Sequence, residues 1–93
     1  MDCKTLILSR HAITKMFERN IFPDEVKRLI NSGEVIKDYP TDVPYPSYLI
    51  LGFTAGMPLH VFVAKEETTS VCIVVTVYEP DKKLWKPDFK SKI

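Results

Sequence analysis

The sequence predicts a single α+β domain in which a short N-terminal strand and two helices precede a roughly four-stranded antiparallel sheet. Three observations predict it. Apolar residues recur at helical spacing between Arg10 and Gly33, and the pattern changes to alternation after Gly33. The later apolar runs are joined by segments of three or four residues, short enough for antiparallel hairpins. Ninety-three residues suffice for one small core, since a chain of this size buries only about 60 to 65% of the surface its unfolded form exposes. The domain is expected to span 1–93, with its core over about 5–86 and a basic tail at 87–93.

Each element has its own signal. "TLILS" (5–9) is a β-compatible run, and the Ser9 hydroxyl is placed to cap a following helix. From Arg10 to Asn20, Ala12, Ile13, Met16 and Phe17 fall on one helical face, with Asn20 as a left-handed stop. "IFPDEVKRLINSG" (21–33) has Pro23 in a first turn, Asp24 and Glu25 at the positive end of the helix dipole, an apolar stripe of Val26, Leu29 and Ile30, and Gly33 as terminator. "EVIKDYP" (34–40) reads as a strand that ends in the proline-rich "YPTDVPYP", which cannot continue a ladder. "SYLILGFTA", "PLHVFVAKE" and "VCIVVTVYE" form a meander, and the helices are expected on one of its faces. At the end, Trp85 and Phe89 are the only large apolar anchors, enough for a docked turn or short helix.

Composition removes several classes of function. No run of eighteen apolar residues could cross a bilayer, and no signal-peptide pattern opens the chain, so the cytoplasm is the expected compartment. Cys3 and Cys72 do not make a disulfide framework and read as structural free thiols. Scattered glycines and the lack of a Gly-x-Ser-x-Gly elbow exclude phosphate-loop chemistry and serine hydrolysis. Cys3, His11, His60 and Cys72 lack the close pairing of a zinc knuckle, so neither metal nor cofactor is expected. The net charge of +1 divides into +2 over residues 1–37, −5 over 38–81 and +4 over 82–93. The basic end could meet a polyanion, or stand as a solvated terminus.

Groups that move protons or carry positive charge remain. His11, Lys15 and Arg19 step by four along one helix flank, His60 lies on a strand, Tyr45 and Tyr48 lie around the proline-rich turn, and Tyr78 and Glu79 end the last strand. RNA cleavage by its own 2′-hydroxyl needs a base, cations against the charge on phosphorus, and an acid for the leaving oxygen. Histidine suits proton transfer at neutral pH, and arginine and lysine suit phosphoryl oxygens. A plainer reading stands beside each: a solvated flank for Lys15 and Arg19, a locally bonded His11, a satisfied His60 on a half-buried face with Phe62 and Ala64. Alternation places Thr76 with Tyr78 on one face and Val77 with Glu79 on the other, so Tyr78 is the preferred candidate of the pair.

"HAITKMFERNIFPDEVKRLINSGEVIKDYP", "PYPSYLILGFTAGMPLHVFVA" and "TVYEPDKKLW" together resemble the domain-of-unknown-function (DUF) 4258 family over about residues 8–86. That family resembles the RelE/ParE-like toxin superfamily, which implies a RelE-like fold, a metal-independent endoribonuclease of toxin-antitoxin type, RNA (ribosome-bound messenger included) as substrate, and a small zinc-finger-type antitoxin as partner. The family pattern falls on His11, Arg19, the Tyr45-Pro46-Ser47-Tyr48 block, His60 and Tyr78-Glu79-Pro80, while Lys15 stands where the family usually has arginine, keeping charge but losing the forked geometry. The expected roles are acid-base work shared by His11 and His60, charge stabilisation by Arg19 with Lys15, nucleotide orientation by Tyr78, and substrate contact by Tyr48. A non-enzymatic protein-binding module, using a sheet edge or "YPTDVPYPSY", is the alternative.

Overall fold

The computed structural model describes residues 1–93. In order, the elements are β1 (Thr5–Leu8), α1 (Arg10–Glu18), α2 (Pro23–Ser32), β2 (Glu34–Tyr39), β3 (Ser47–Thr54), β4 (Met57–Glu66) and β5 (Val71–Tyr78). The five strands form one sheet in the order β1-β5-β4-β3-β2. The two helices carry the chain from one edge strand to the other, and the meander then returns across the sheet to end beside β1. That route makes β1 and β5 parallel, with Thr5 opposite Val71 and Leu8 opposite Val74, so the sheet is mixed rather than purely antiparallel. No helix is long and apolar enough to cross a membrane.

Local chemistry sets the helix ends. Ser9 Oγ accepts the Ala12 N–H at 3.0 Å and so caps α1, while its own hydroxyl donates to the Val75 carbonyl at 2.9 Å. The helix ends at Glu18, two residues short of Asn20, which takes the left-handed conformation at φ 56°. Glu25 accepts from the Phe22 N–H at the start of α2 and from the Thr54 hydroxyl on β3; the Thr54 bond is the larger reason its carboxyl is held below the usual range. One side chain thus caps the helix and ties it to the sheet.

Ala12, Met16, Val26, Leu29 and Ile30 from the helices meet Ile50, Leu59, Val61, Val63 and Val74 from one sheet face. The expected apolar face of α1 is only half buried: Ala12 and Met16 face the sheet, whereas Ile13 and Phe17, each 100° further round the helix, are exposed. On the two-residue β3-β4 turn, Ala55 and Gly56 both take positive φ, the conformation whose twist matches the adjoining strands. Gly33 follows α2 where backbone crowds it: a Cβ there would stand 2.4 Å from the Leu29 carbonyl oxygen and 2.8 Å from that of Leu51. Gly33→Ala is therefore expected to destabilise by about 1–3 kcal/mol. Gly52→Ala should lose less, because its Cβ would meet the movable end of Leu29 at 2.4 Å. Urea midpoints of the two variants check the order, and a Gly33→Ala midpoint at or above that of Gly52→Ala would refute it.

One expectation, the two free thiols, is corrected. Cys3 and Cys72 are not free thiols but a disulfide, with Cα atoms 5.7 Å apart. The parallel pairing of β1 with β5 brings these distant residues together, and the Lys4 N–H to Ser70 carbonyl bond of 2.9 Å extends that pairing toward Cys3. The basic tail is solvent-exposed and docks through a turn, as Trp85 and Phe89 suggested. Residues 84–93 fold back on themselves, with Lys86 N–H on the Ser91 carbonyl at 2.8 Å and Ile93 N–H on the Leu84 carbonyl at 2.9 Å. Trp85 is buried there, and Lys90 pairs with Glu34 at 3.0 Å.

Candidate functional site

β1 covers the edge of β5 only as far as Val74. Beyond that point the flank of α1 takes its place. His11 Nε2 lies 3.0 Å from Thr76 Oγ1, and Arg19 Nη1 lies 3.4 Å from Glu79 Oε2. The eight residues from His11 to Arg19 rise about 12 Å along the helix, against about 10 Å of strand from Thr76 to Glu79, so helix and strand end run side by side. Lys15 falls between the two contacts and pairs with Glu18 at 3.7 Å. His11 and Arg19 are exposed, and Lys15 and Glu79 are part-exposed. The result is an open strip along which one imidazole, two cations and one carboxylate lie in a row.

His60 and Tyr78 form a second group on the sheet face away from the helices. Register places His60 opposite Tyr78 and Phe62 opposite Thr76, while Val61 opposite Val77 faces the core. The His60 ring is 0% exposed and both nitrogens are occupied: Nδ1 is 3.1 Å from the Tyr78 hydroxyl and Nε2 is 2.8 Å from the Phe89 carbonyl oxygen. A carbonyl can only accept, so Nε2 carries the proton and Nδ1 accepts from the Tyr78 phenol. Desolvation pushes the imidazole below its ordinary pKa, opposed by the Phe89 bond, and pushes the Tyr78 phenol up. Both groups are thereby kept neutral. Trp85 meets the His60 ring edge-on at 4.4 Å and Tyr78 at 5.2 Å, closing the stack.

The six sequence candidates therefore fall in three places. His11, Lys15 and Arg19 share the strip; the buried His60 and the part-exposed Tyr78 form the pair next to it. Tyr48 is apart from both. It is opposite Val63, a core residue on the helix side, and its hydroxyl donates to Glu67 at 2.6 Å, the bond that chiefly raises its pKa. Sequence reasoning put His60 on its correct sheet face but did not foresee Trp85 and Phe89 over it. It also passed over Glu79 in favour of Tyr78. The alternation that separates those two is real, yet it also turns Glu79 toward Arg19, and that depends on the docking of α1. A bulge in β5, where Val63 pairs with Val74 and Phe62 with Thr76, leaves Val75 unpaired and re-aims the strand end. The adjacent valines of "VVTVYE" carry no mark of that bulge.

No group of three or more His, Cys, Asp or Glu side chains gathers as metal ligands. A family model described as Domain of unknown function (DUF4258) matches residues 8–79. No curated protein and no solved structure matches the chain. The family match starts at the last residue of β1 and ends at Glu79, so it contains the whole strip and the His60-Tyr78 pair, and stops before Trp85. It covers well over half of the chain, which therefore belongs to the DUF4258 family.

Proposed function

We propose that the protein is a toxin-type endoribonuclease, related to the RelE/ParE-like superfamily, that cleaves RNA in the cytoplasm by 2′-hydroxyl attack without a metal. The observation that carries this reading is the strip itself: exposed His11 against Thr76, and Arg19 against Glu79, with Lys15 between them. In the proposed step the Glu79 side chain leaves Arg19 and swings along the strip toward His11, its carboxylate takes the 2′-hydroxyl proton, and the 2′-oxygen bonds to phosphorus. The P–O5′ bond breaks, and O5′ receives a proton from the protonated His11 imidazole. Products are a 2′,3′-cyclic phosphate and a 5′-hydroxyl. Arg19 and Lys15 offset the charge that builds on the non-bridging oxygens. Glu79 replaces His60 in the acid-base pair because His60 reaches no solvent and both its nitrogens are bonded. In this reading His60 positions Tyr78, which orients the nucleotide. Ribosome-bound messenger is the proposed target, and a zinc-finger-type antitoxin is the proposed partner.

Labelled messenger RNA, incubated in EDTA with and without ribosomes, tests it. The wild-type chain should cut and leave cyclic phosphate ends, and His11→Ala and Glu79→Gln should each slow cutting by about 10²- to 10⁴-fold. Intact RNA in every lane, or full activity in His11→Ala, overturns the assignment.

One observation favours the second reading, a non-enzymatic protein-binding module. Ile13, Phe17 and Phe22 stand exposed around an apolar groove of about 250 Å³, with Phe17 84% and Phe22 68% accessible. Copurification of one stoichiometric protein through that face, with no RNA cleavage, would replace the ribonuclease reading.

A further inference from the structure

The C-terminal segment carries chemistry that the proposed cleavage step does not use. Lys82, Trp85, Lys86, Pro87, Phe89 and Ile93 line a groove of about 330 Å³, the size of the smaller ligand sites. Its lysines are exposed at the rim, and Phe89 is half-buried in its wall. Phe89 takes φ 61°, a left-handed conformation that a bulky residue rarely adopts, and its carbonyl is the one bonded to His60. The groove therefore joins the candidate site through shared residues: Trp85 and Phe89 line it, both touch His60, and His60 holds Tyr78. Charge points the same way. Residues 82–93 carry five lysines against Asp88, whereas residues 38–81 carry a net −5. The five lysines of this segment are the densest cluster of positive charge in the sequence. The residues that line the groove follow Glu79, where the family match ends.

We infer that this groove is a nucleotide subsite for single-stranded RNA, in which a base packs on Phe89 and Pro87 while Lys82 and Lys86 hold the flanking phosphates. The occupant's identity rests on the ribonuclease reading. Aromatic walls with lysines at the rim are the general means of gripping single strands without sequence preference. The bound strand would run from the strip, past Tyr78, to the groove.

Trp85 is the only tryptophan in the chain, so its fluorescence reports on this groove directly. The probe is a short 2′-O-methyl RNA oligonucleotide, which lacks the attacking hydroxyl and cannot be cut by the proposed step. It should quench Trp85 emission in the wild-type protein and bind with an affinity that falls with salt. Each lysine-phosphate contact contributes about 0.7 to the logarithmic salt slope on single strands, so Lys82→Gln with Lys86→Gln should reduce the slope by about 1.4 and weaken binding about 25-fold at 0.1 M salt. Phe89→Gly, which suits the positive φ and removes the ring, should weaken binding about tenfold. No quenching in the wild type, unchanged affinity in both variants, or equally tight binding of polyglutamate overturns the inference. Failure of the two readings is distinguishable. Lysine-dependent binding without cleavage of ordinary RNA sinks the ribonuclease and leaves the groove. Cleavage with no loss of affinity in the lysine variant sinks the groove alone.

Discussion

Reducing the Cys3–Cys72 bond is expected to lower the stability of the protein by about 4 kcal/mol. The two cysteines are 69 residues apart in sequence, so the bond closes most of the chain into one loop and removes many conformations from the unfolded ensemble. The native state has few other ties at that point. β1 is a four-residue edge strand, and its parallel ladder with β5 is its only strand pairing. Urea unfolding of the oxidised and reduced protein, and of a Cys3→Ser with Cys72→Ala double variant, measures the effect. The reduced and double-variant midpoints should coincide well below the oxidised one, with amide exchange in Leu6–Leu8 accelerated. Coincident oxidised and reduced midpoints would mean that the bond does not constrain the chain in solution. Disulfides are rare in reducing compartments, and the reduced chain is the less stable form. The redox state of the assay therefore has to be fixed before any mutant is compared.

Replacing His60 by alanine should destabilise the fold by about 3 kcal/mol. It would open a cavity beneath Trp85, and leave the Phe89 carbonyl and the Tyr78 hydroxyl without their partner. Tyr78→Phe removes only the hydroxyl donor, so a loss of about 1 kcal/mol is expected. Trp85 emission should shift to the red in His60→Ala and remain nearly native in Tyr78→Phe. The pH dependence follows from the depressed pKa of His60, whose first cause is burial. Its ordinary value is 6.5, and the folded value lies below it, so the unfolded chain binds the extra proton first. The stabilisation is fully present above about pH 6.5 and declines as pH falls toward the folded pKa. Between pH 7.5 and 5.5 the wild type should therefore lose more stability than His60→Ala does. An equal loss in both would refute the neutral, buried assignment.

Much of the architecture was legible because it rests on local rules. The change of period at Gly33, the Ser9 cap, the Pro23 start and the short hairpin loops each act over a few residues, and the elements formed where those signals stood. The strip was partly legible for the same reason: His11, Lys15 and Arg19 share a flank through helical spacing alone. Their partners were not. Thr76 and Glu79 meet that flank only because β1 ends at Val74 and α1 takes over the edge of β5.

What the sequence by itself determined is the class of the fold, the order of its elements, the split of apolar faces on α2 and the meander, and the residues able to carry positive charge or a proton. Tertiary structure decided the parallel β1-β5 pairing, the disulfide that follows from it, the partnership of Arg19 with Glu79, and the burial of His60 under Trp85 and Phe89. The physical reason is distance along the chain. Each of these contacts joins residues separated by 25 to 69 positions, and no propensity or spacing rule acts over that range. They form because burial of the shared core brings the strands together, and only then do charge and hydrogen bonding choose among the groups that meet.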